Sequence, residues 1–193
     1  MKIKLASLFA ILFNLIKADA QFALSAKIHG NYNLSNKQYF RIESGLAPEL
    51  NAKWLAKSSS WGLHYQRISW FLSEEYVSSM RTHLIEISFG IHKKVIKDHR
   101  MEFGFRFGHA DNRIRFDMEK RPDTFGYTDD FIWKNLSYAF EVEFQHTSGI
   151  LISSGYRRFI GNSTMPDPNP VYLTAGLGYR YFRKDNSQKT SVK

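Results

Sequence analysis

Apolar and polar residues alternate one by one along most of the chain after residue 20. The clearest case is the segment 101–108, M-E-F-G-F-R-F-G, in which every odd position is methionine or phenylalanine. Successive side chains of a β-strand point to opposite faces, so this segment predicts a strand with one apolar face and one small or polar face. The segment 171–182, V-Y-L-T-A-G-L-G-Y-R-Y-F, repeats the pattern, and its apolar face ends in Tyr179 and Tyr181.

Alternation of this kind recurs often enough to predict a whole sheet of antiparallel strands. The predicted strands cover residues 22–32, 50–56, 61–72, 85–92, 101–108, 136–145, 150–159 and 171–182. In the third of them the apolar phase changes between Tyr65 and Ile68, which predicts a β-bulge. The connections alternate between long and short, and the long ones are residues 34–49, 73–82, 111–130 and 160–170.

An even strand number with long connections at one end is typical of bacterial outer-membrane barrels, which have long outer loops and short periplasmic turns. A sheet that crosses a membrane has to close on itself, because lipid cannot satisfy unpaired backbone groups. The sequence therefore predicts an all-β fold, an eight-stranded antiparallel up-and-down transmembrane β-barrel over residues 21–182.

The two ends of the chain differ from this central region. Residues 1–20 combine Lys2 and Lys4 with an apolar run and the small residues Ala18 and Ala20, which predicts a signal peptide cleaved before Gln21. The run is shorter than the roughly 20 apolar residues that a membrane-spanning helix needs. Residues 183–193 are predominantly polar and are predicted to form a disordered tail.

Soluble eight-stranded barrels also alternate, but their apolar face points inward. Here the polar face carries both charges and many glycines, which suits a narrow lumen better than a solvated exterior. Because buried charges have to be paired, we predict a charge network that fills the lumen. Its members are Lys27, Lys53, Glu86, Glu102, Arg106, Glu141, Glu143, Arg157 and Arg180.

Aromatic residues make up 16% of the chain, and several lie near predicted strand ends. Tryptophan and tyrosine are enriched where a membrane meets water. Trp54, Trp61, Trp70, Tyr179 and Tyr181 are therefore predicted interface anchors, with sugar binding as the alternative.

The formal net charge is +9, and +7 of it remains on residues 21–193. An exported protein has little access to nucleic acid, so the expected partners are membrane lipid and the anionic phosphates of lipopolysaccharide. The alternative is that the excess charge only keeps the chain soluble in transit.

Two sets of residues on the polar face are candidates for chemistry. Glu141 and Glu143 are about 7 Å apart at strand rise, near the spacing of paired acid–base carboxylates. His29, His64 and His92 could in principle bind zinc, although no close sequence spacing links them. A lumen network explains both sets, so we expect no catalytic residue, no metal and no cofactor.

The pattern as a whole resembles the small outer-membrane barrels of the opacity and attachment-invasion type. Its most specific part is the C-terminal A-G-L-G-Y-R-Y-F, which is similar to the closing strand of those families. In such families the chain usually ends at the terminal aromatic residue, whereas here residues 183–193 follow. The resemblance implies an outer-membrane protein that presents surface loops. We expect this protein to be a monomer.

A weaker local similarity is to the lipid A 3-O-deacylases, which are also eight-stranded barrels. His146 and Ser148 look like the His-x-Ser arrangement of that family but fall in a predicted periplasmic turn. A second match, at Asn162 and at Pro168-Asn169, looks like the family's His-x-Ser-Asn followed by Pro-Asn. The positions of its histidine, serine and glutamate are occupied by Phe159, Gly161 and Leu173.

The expected function is thus a non-enzymatic outer-membrane barrel that supports the envelope or binds a surface partner. Its contact surface would be the connections 34–49, 111–130 and 160–170, because function commonly sits on the loops of a rigid scaffold. The alternatives are a deacylase-like enzyme or its inactive relative, and a small porin.

Overall fold

A computed structural model describes residues 21–34, 42–73, 75–96, 99–117, 119–120, 131–161 and 171–182. The predicted signal peptide at 1–20 and the tail at 183–193 lie outside the described residues. Most of the predicted connections 111–130 and 160–170 lie outside them as well.

The described residues form a closed barrel of eight antiparallel strands, in which β1 pairs with both β2 and β8. The strands are β1 (Gln21–Asn33), β2 (Ile42–Leu55), β3 (Ser59–Leu72), β4 (Val77–Lys94), β5 (Arg100–Phe116), β6 (Phe131–Gln145), β7 (Ile150–Ile160) and β8 (Val171–Phe182). Each strand pairs with its sequence neighbours, so the predicted up-and-down topology is confirmed. No helix in the described parts of the chain is long and apolar enough to cross a membrane.

The barrel is apolar outside and polar inside. Ile91 and Leu177, on the apolar rows, are 68% and 62% exposed, whereas Lys27 and Arg180, on the polar rows, are 2% and 1% exposed. The alternation seen in the sequence therefore corresponds to an outward apolar face, which is the reverse of a soluble barrel.

Several strands are longer than the sequence predicts, mostly at the end where the long connections lie. At the opposite end β3 and β4 gain only two residues each, 59–60 and 93–94. β2 begins at Ile42, β4 begins at Val77 and β5 continues to Phe116. Residues 42–49, 77–82 and 111–116 are thus strand rather than loop, which corrects the predicted connections. The connection between β3 and β4 shrinks to residues 73–76.

The bulge predicted in β3 is absent. The pairing of β3 with β4 runs without a shift from Ser59 to Trp70, and Gln66, Ile68 and Trp70 all continue the inward phase. The hydrophobic phase changes because the lumen itself changes character along its axis. The inward row of β3 is polar at His64 and Gln66 and apolar at Ile68 and Trp70.

The apolar part of the lumen forms a plug at the end where β3 leads into β4. We call this set the apolar plug, and its members are Ala47, Ile68, Trp70, Val77, Met80, Leu84, Ala110, Ile114, Phe159 and Tyr172. Trp70 packs on Tyr172 with ring centroids 4.5 Å apart, and Phe159 meets the same tyrosine edge-on. These residues lie between the charged residues of the lumen and the end of the barrel at which β3 leads into β4.

The turn between β6 and β7 lies at the opposite end of the barrel and is tight. His146 N–H donates to Ile150, Gly149 N–H donates to His146, and Gly149 has a φ of +93°. This left-handed conformation favours glycine, which explains the short connection there.

Candidate functional site

The barrel interior is the place where the chain concentrates charged side chains. All nine residues of the predicted network are at most 8% exposed and point into the lumen. Glu49 joins them, so the buried charged side chains of the described residues comprise five glutamates and five lysines or arginines. The formal charge of this set is zero.

Glu49 is the centre of the first cluster. Arg106 Nη1 lies 2.6 Å from Glu49 Oε2 and Arg106 Nη2 lies 3.2 Å from Oε1, a two-point contact. Lys27 Nζ is 3.3 Å from Oε1. His64 Nδ1 and His29 Nε2 each lie 3.1 Å from this carboxylate. Four side chains therefore converge on one residue of β2.

Glu141 and Glu143, the candidate acid–base pair, are each bound by cations. Lys27 Nζ lies 2.9 Å from both carboxylates and bridges them. Arg106 contacts Glu141, and Arg180 contacts Glu143. A catalytic carboxyl has to be within hydrogen-bond reach of a substrate. These two instead face lysine and arginine in a filled interior, so the geometry favours a structural role.

The charge network extends along the barrel on both sides of these clusters. Toward the end of the barrel that carries the β6–β7 turn, Lys53 Nζ is 2.8 Å from Glu102 Oε1. Toward the plug, Arg157 Nη2 is 2.6 Å from Glu86 Oε2, and Ser137 donates to Glu86 at 2.7 Å. A buried ion is costly unless its charge is paired and its remaining hydrogen-bonding groups are satisfied. The network meets most of that demand with protein groups alone.

The structure brings two of the three candidate zinc ligands together, because His29 and His64 both lie 3.1 Å from the Glu49 carboxylate, but His92 lies elsewhere. His64 lies between Glu49 and Ser88, with Nε2 at 2.7 Å from the serine hydroxyl, whereas His92 Nε2 lies 3.2 Å from the backbone carbonyl of Ser59. Within the described ranges no cluster of three or more histidine, aspartate or glutamate side chains could hold a metal ion.

The predicted interface aromatics divide into two groups. Trp54 and Trp61 stack in parallel on the outside with centroids 4.1 Å apart, and Tyr179 and Tyr181 are exposed on the outer face. Trp70 needs a correction, because its ring is only 6% exposed and belongs to the apolar plug. Its indole N–H donates to Thr82 at 2.8 Å inside the lumen, so it does not face the exterior.

The deacylase-like residues do not form a catalytic arrangement. His146 Nδ1 lies 2.8 Å from Ser148 Oγ, but Nδ1 also accepts the Ser148 backbone N–H, as in an ordinary turn. Phe159 points into the apolar plug, and Leu173 is exposed outside. Asn162, Pro168 and Asn169 lie outside the described residues.

Glu49 is the interior charge that the sequence analysis placed in a loop. Pro48 argued against a strand at this position, because proline lacks the backbone N–H that residues inside a strand donate. The structure accommodates this proline at a break in the ladder. Leu46 of β2 pairs with Ser69 of β3, and the next pair along the ladder is Glu49 with Gln66. Alternation continued backward from Leu50 puts Glu49 on the inner face.

Comparison with known proteins adds evidence at the level of the fold. No protein-family model matches the chain, and neither does any curated protein. Solved structures do match. Neisserial surface protein A superposes with a TM-score of 0.54 at 16% identity, covering 83% of this chain and 97% of that one.

Two further solved structures show similar overlap. The N-terminal β-barrel domain of Pseudomonas aeruginosa OprF has a TM-score of 0.56 at 7% identity, covering 84% of this chain and 100% of that one. The attachment invasion locus protein Ail of Yersinia pestis, in complex with the heparin analogue sucrose octasulfate, has a TM-score of 0.55 at 13% identity. The match covers 84% of this chain and 99% of Ail. The chain therefore has the fold of the small eight-stranded outer-membrane barrels, as its sequence pattern predicts.

Proposed function

We propose that this protein is a non-enzymatic bacterial outer-membrane barrel with a sealed interior. The observation that carries the proposal is the inverted distribution of polarity, with exposed apolar rows outside and ten paired charges inside. In water, such an exterior would be an apolar surface far larger than monomeric proteins expose. In a bilayer, the same exterior is solvated by acyl chains, and the closed sheet leaves no backbone group unpaired.

The lengths of the connections between strands indicate which end of the barrel faces the periplasm. The connections 56–58, 95–99 and 146–149 are all short, whereas three of the four at the other end, 34–41, 117–130 and 161–170, are longer. We therefore place the ends with the uniformly short connections in the periplasm. The ends joined by residues 34–41, 73–76, 117–130 and 161–170 then face the outside.

Cell fractionation combined with gel mobility tests the location and the closed fold together. Full-length protein expressed in a Gram-negative host should enter the outer-membrane fraction with residues 1–20 removed. In detergent it should migrate faster before boiling than after it, because a closed barrel stays compact until it is heated. Recovery in the periplasmic or cytoplasmic fraction would refute the proposed location.

The role in the membrane is either envelope support or binding of a surface partner through the outer connections. Deleting residues 118–130 separates the two, since β5 ends at Phe116 and β6 begins at Phe131. The deletion should leave the heat-dependent gel shift intact. Loss of cell adhesion with an intact barrel would favour partner binding, whereas unchanged adhesion with weakened envelope integrity in a full knockout would favour support.

A further inference from the structure

β4 and β5 extend beyond the apolar band of the barrel, toward the predicted outer face. On the outer surface of β4 the apolar row Ile91, Phe89, Ile87 and Ile85 gives way to His83 and then Arg81. On β5 the corresponding change occurs between Phe107 and His109. The two changes are offset by one outward-facing position, because Ile85, the last apolar residue of the β4 row, pairs with His109, the first polar residue of the β5 row.

Four cations cluster on this extension, and we call them the basic patch: Arg81, Arg113, Arg115 and Lys134. They line a recess of about 330 Å³ on the outside of β4, β5 and β6. All four side chains are exposed, so a ligand approaching from outside can reach them. Asp111 is the carboxylate in the lining of this recess, and it lies 3.0 Å from His109 Nε2.

The register brings two of these guanidinium groups to the same level of the outer surface. Arg81 and Arg113 are directly opposite each other on β4 and β5. Guanidinium groups are suited to phosphate, because each can donate two parallel hydrogen bonds.

The surroundings indicate what kind of anion fits. Directly below the recess the outer face presents Ile85, Phe107 and Leu136, which are exposed and apolar. A lipid would place its acyl chains along this row and its headgroup at the basic patch. The recess therefore combines a cationic upper part with an apolar lower boundary.

We propose that the basic patch binds the phosphorylated headgroup of an outer-leaflet lipid. This inference rests on the proposed outer-membrane location, because only there do the apolar rows below the patch contact acyl chains. It adds to that location a specific site on the extended ends of β4, β5 and β6.

Native mass spectrometry of the full folded chain tests the site. The barrel in neutral detergent is titrated with bisphosphorylated lipid A, with dephosphorylated lipid A, and with inorganic phosphate as competitor. The test variant is Arg81→Gln/Arg113→Gln/Arg115→Gln. The matched control is Lys57→Gln/Lys93→Gln/Lys94→Gln, which removes the same charge from the opposite end, where these lysines are also exposed.

The expected result is that the wild type and the control retain bisphosphorylated lipid A, while the test variant binds it roughly tenfold more weakly or worse. Dephosphorylated lipid A should bind weakly to all three proteins. Equal weakening in the test and control variants would overturn the site, since it would show only general charge attraction. Displacement of the lipid by an equimolar amount of inorganic phosphate would overturn the choice of a lipid.

Two controls keep this test independent of the proposed function. Each variant is first checked for the gel shift of a folded barrel, and Arg113→Gln alone replaces the triple variant if that fails to fold. Cells that express each variant are also fractionated, which shows whether the barrel reaches the outer membrane. A wild type absent from the outer membrane contradicts the proposed function, whereas a correctly located barrel with unaltered lipid binding in the variant contradicts the site alone.

Discussion

At the scale of single residues, Glu49 shows how a buried charge can be both costly and necessary. Its carboxylate faces Arg106, Lys27, His29 and His64, none of which has access to solvent. Sequence reasoning can predict that inward charges will pair, since burial without a partner is unfavourable. It cannot predict which pairs form, because the partners come from strands far apart in the chain.

Removing the charge of Glu49 should therefore destabilise the barrel. Glu49→Gln keeps the side-chain size but leaves Arg106 with less compensating charge, and loss of one partner of a buried pair typically costs about 3–5 kcal/mol. Urea unfolding of the barrel folded in lipid vesicles measures the change in free energy. Glu119→Gln is the control, because Glu119 is exposed beyond the end of β5. Equal stability of the two variants would contradict the central place of Glu49.

Two glycines on β5 give a second test at the residue scale. A Cβ on Gly108 would lie 2.0 Å from the Ile85 carbonyl oxygen and 2.6 Å from Glu86 Cα, whereas a Cβ on Gly104 would meet nothing closer than 3.8 Å. Gly108→Ala should therefore destabilise the barrel by about 1–3 kcal/mol or more. Gly104→Ala should be close to neutral in the same vesicle unfolding assay. The opposite order would mean that β4 and β5 are less closely packed at Gly108.

At the scale of elements, the sequence predicts all eight strands but misses the outer ends of β2, β4, β5 and β6. The middle of each strand alternates cleanly because lipid-facing and lumen-facing environments differ strongly there. Beyond the apolar band this contrast disappears. Arg113 and Arg115 then face outward on β5 while Asn112 and Ile114 face inward, so the segment has the composition of a loop. Backbone pairing with β4 and β6 makes it a strand.

Adjacent residues of β3 test the apolar plug. Trp70 is buried against Tyr172, whereas the next residue, Phe71, is 57% exposed on the outside. Trp70→Ala should lower the free energy of unfolding in detergent by about 3–5 kcal/mol, as expected for a buried aromatic. Phe71→Ala should cost clearly less. A larger loss for Phe71→Ala would show that Trp70 is not part of a packed interior.

At the scale of the whole molecule, the ten buried charges balance, so the net charge of +7 on residues 21–193 is carried by the rest of the chain. The buried charged side chains of the described residues are thus balanced, while the exterior is apolar in the middle and basic toward the ends. The alternation along the sequence predicts this separation. The basic patch could not be found in this way, because its residues come together only through the register of three strands.

A filled lumen has a direct consequence for ion permeation. In an eight-stranded barrel the interior is just wide enough for side chains to fill it. Here charged pairs lie in the central part and the apolar plug lies toward the end predicted to face outward, and we propose that together they leave no path for ions. The reconstituted protein should therefore show no stable conductance in planar lipid bilayers. Reproducible channel openings by the folded barrel would support the porin alternative instead.

The most direct test of the whole account asks what the outer face of the barrel touches. The chain has no cysteine, so single cysteines can carry a fluorescent label without further changes. Labels at Ile87→Cys, Leu177→Cys and Arg115→Cys are compared after folding the protein into bilayers. Lipids brominated in their acyl chains should quench the first two, and aqueous iodide should quench the label at position 115. If iodide quenches all three labels equally, the apolar rows face water and the outer-membrane interpretation is contradicted.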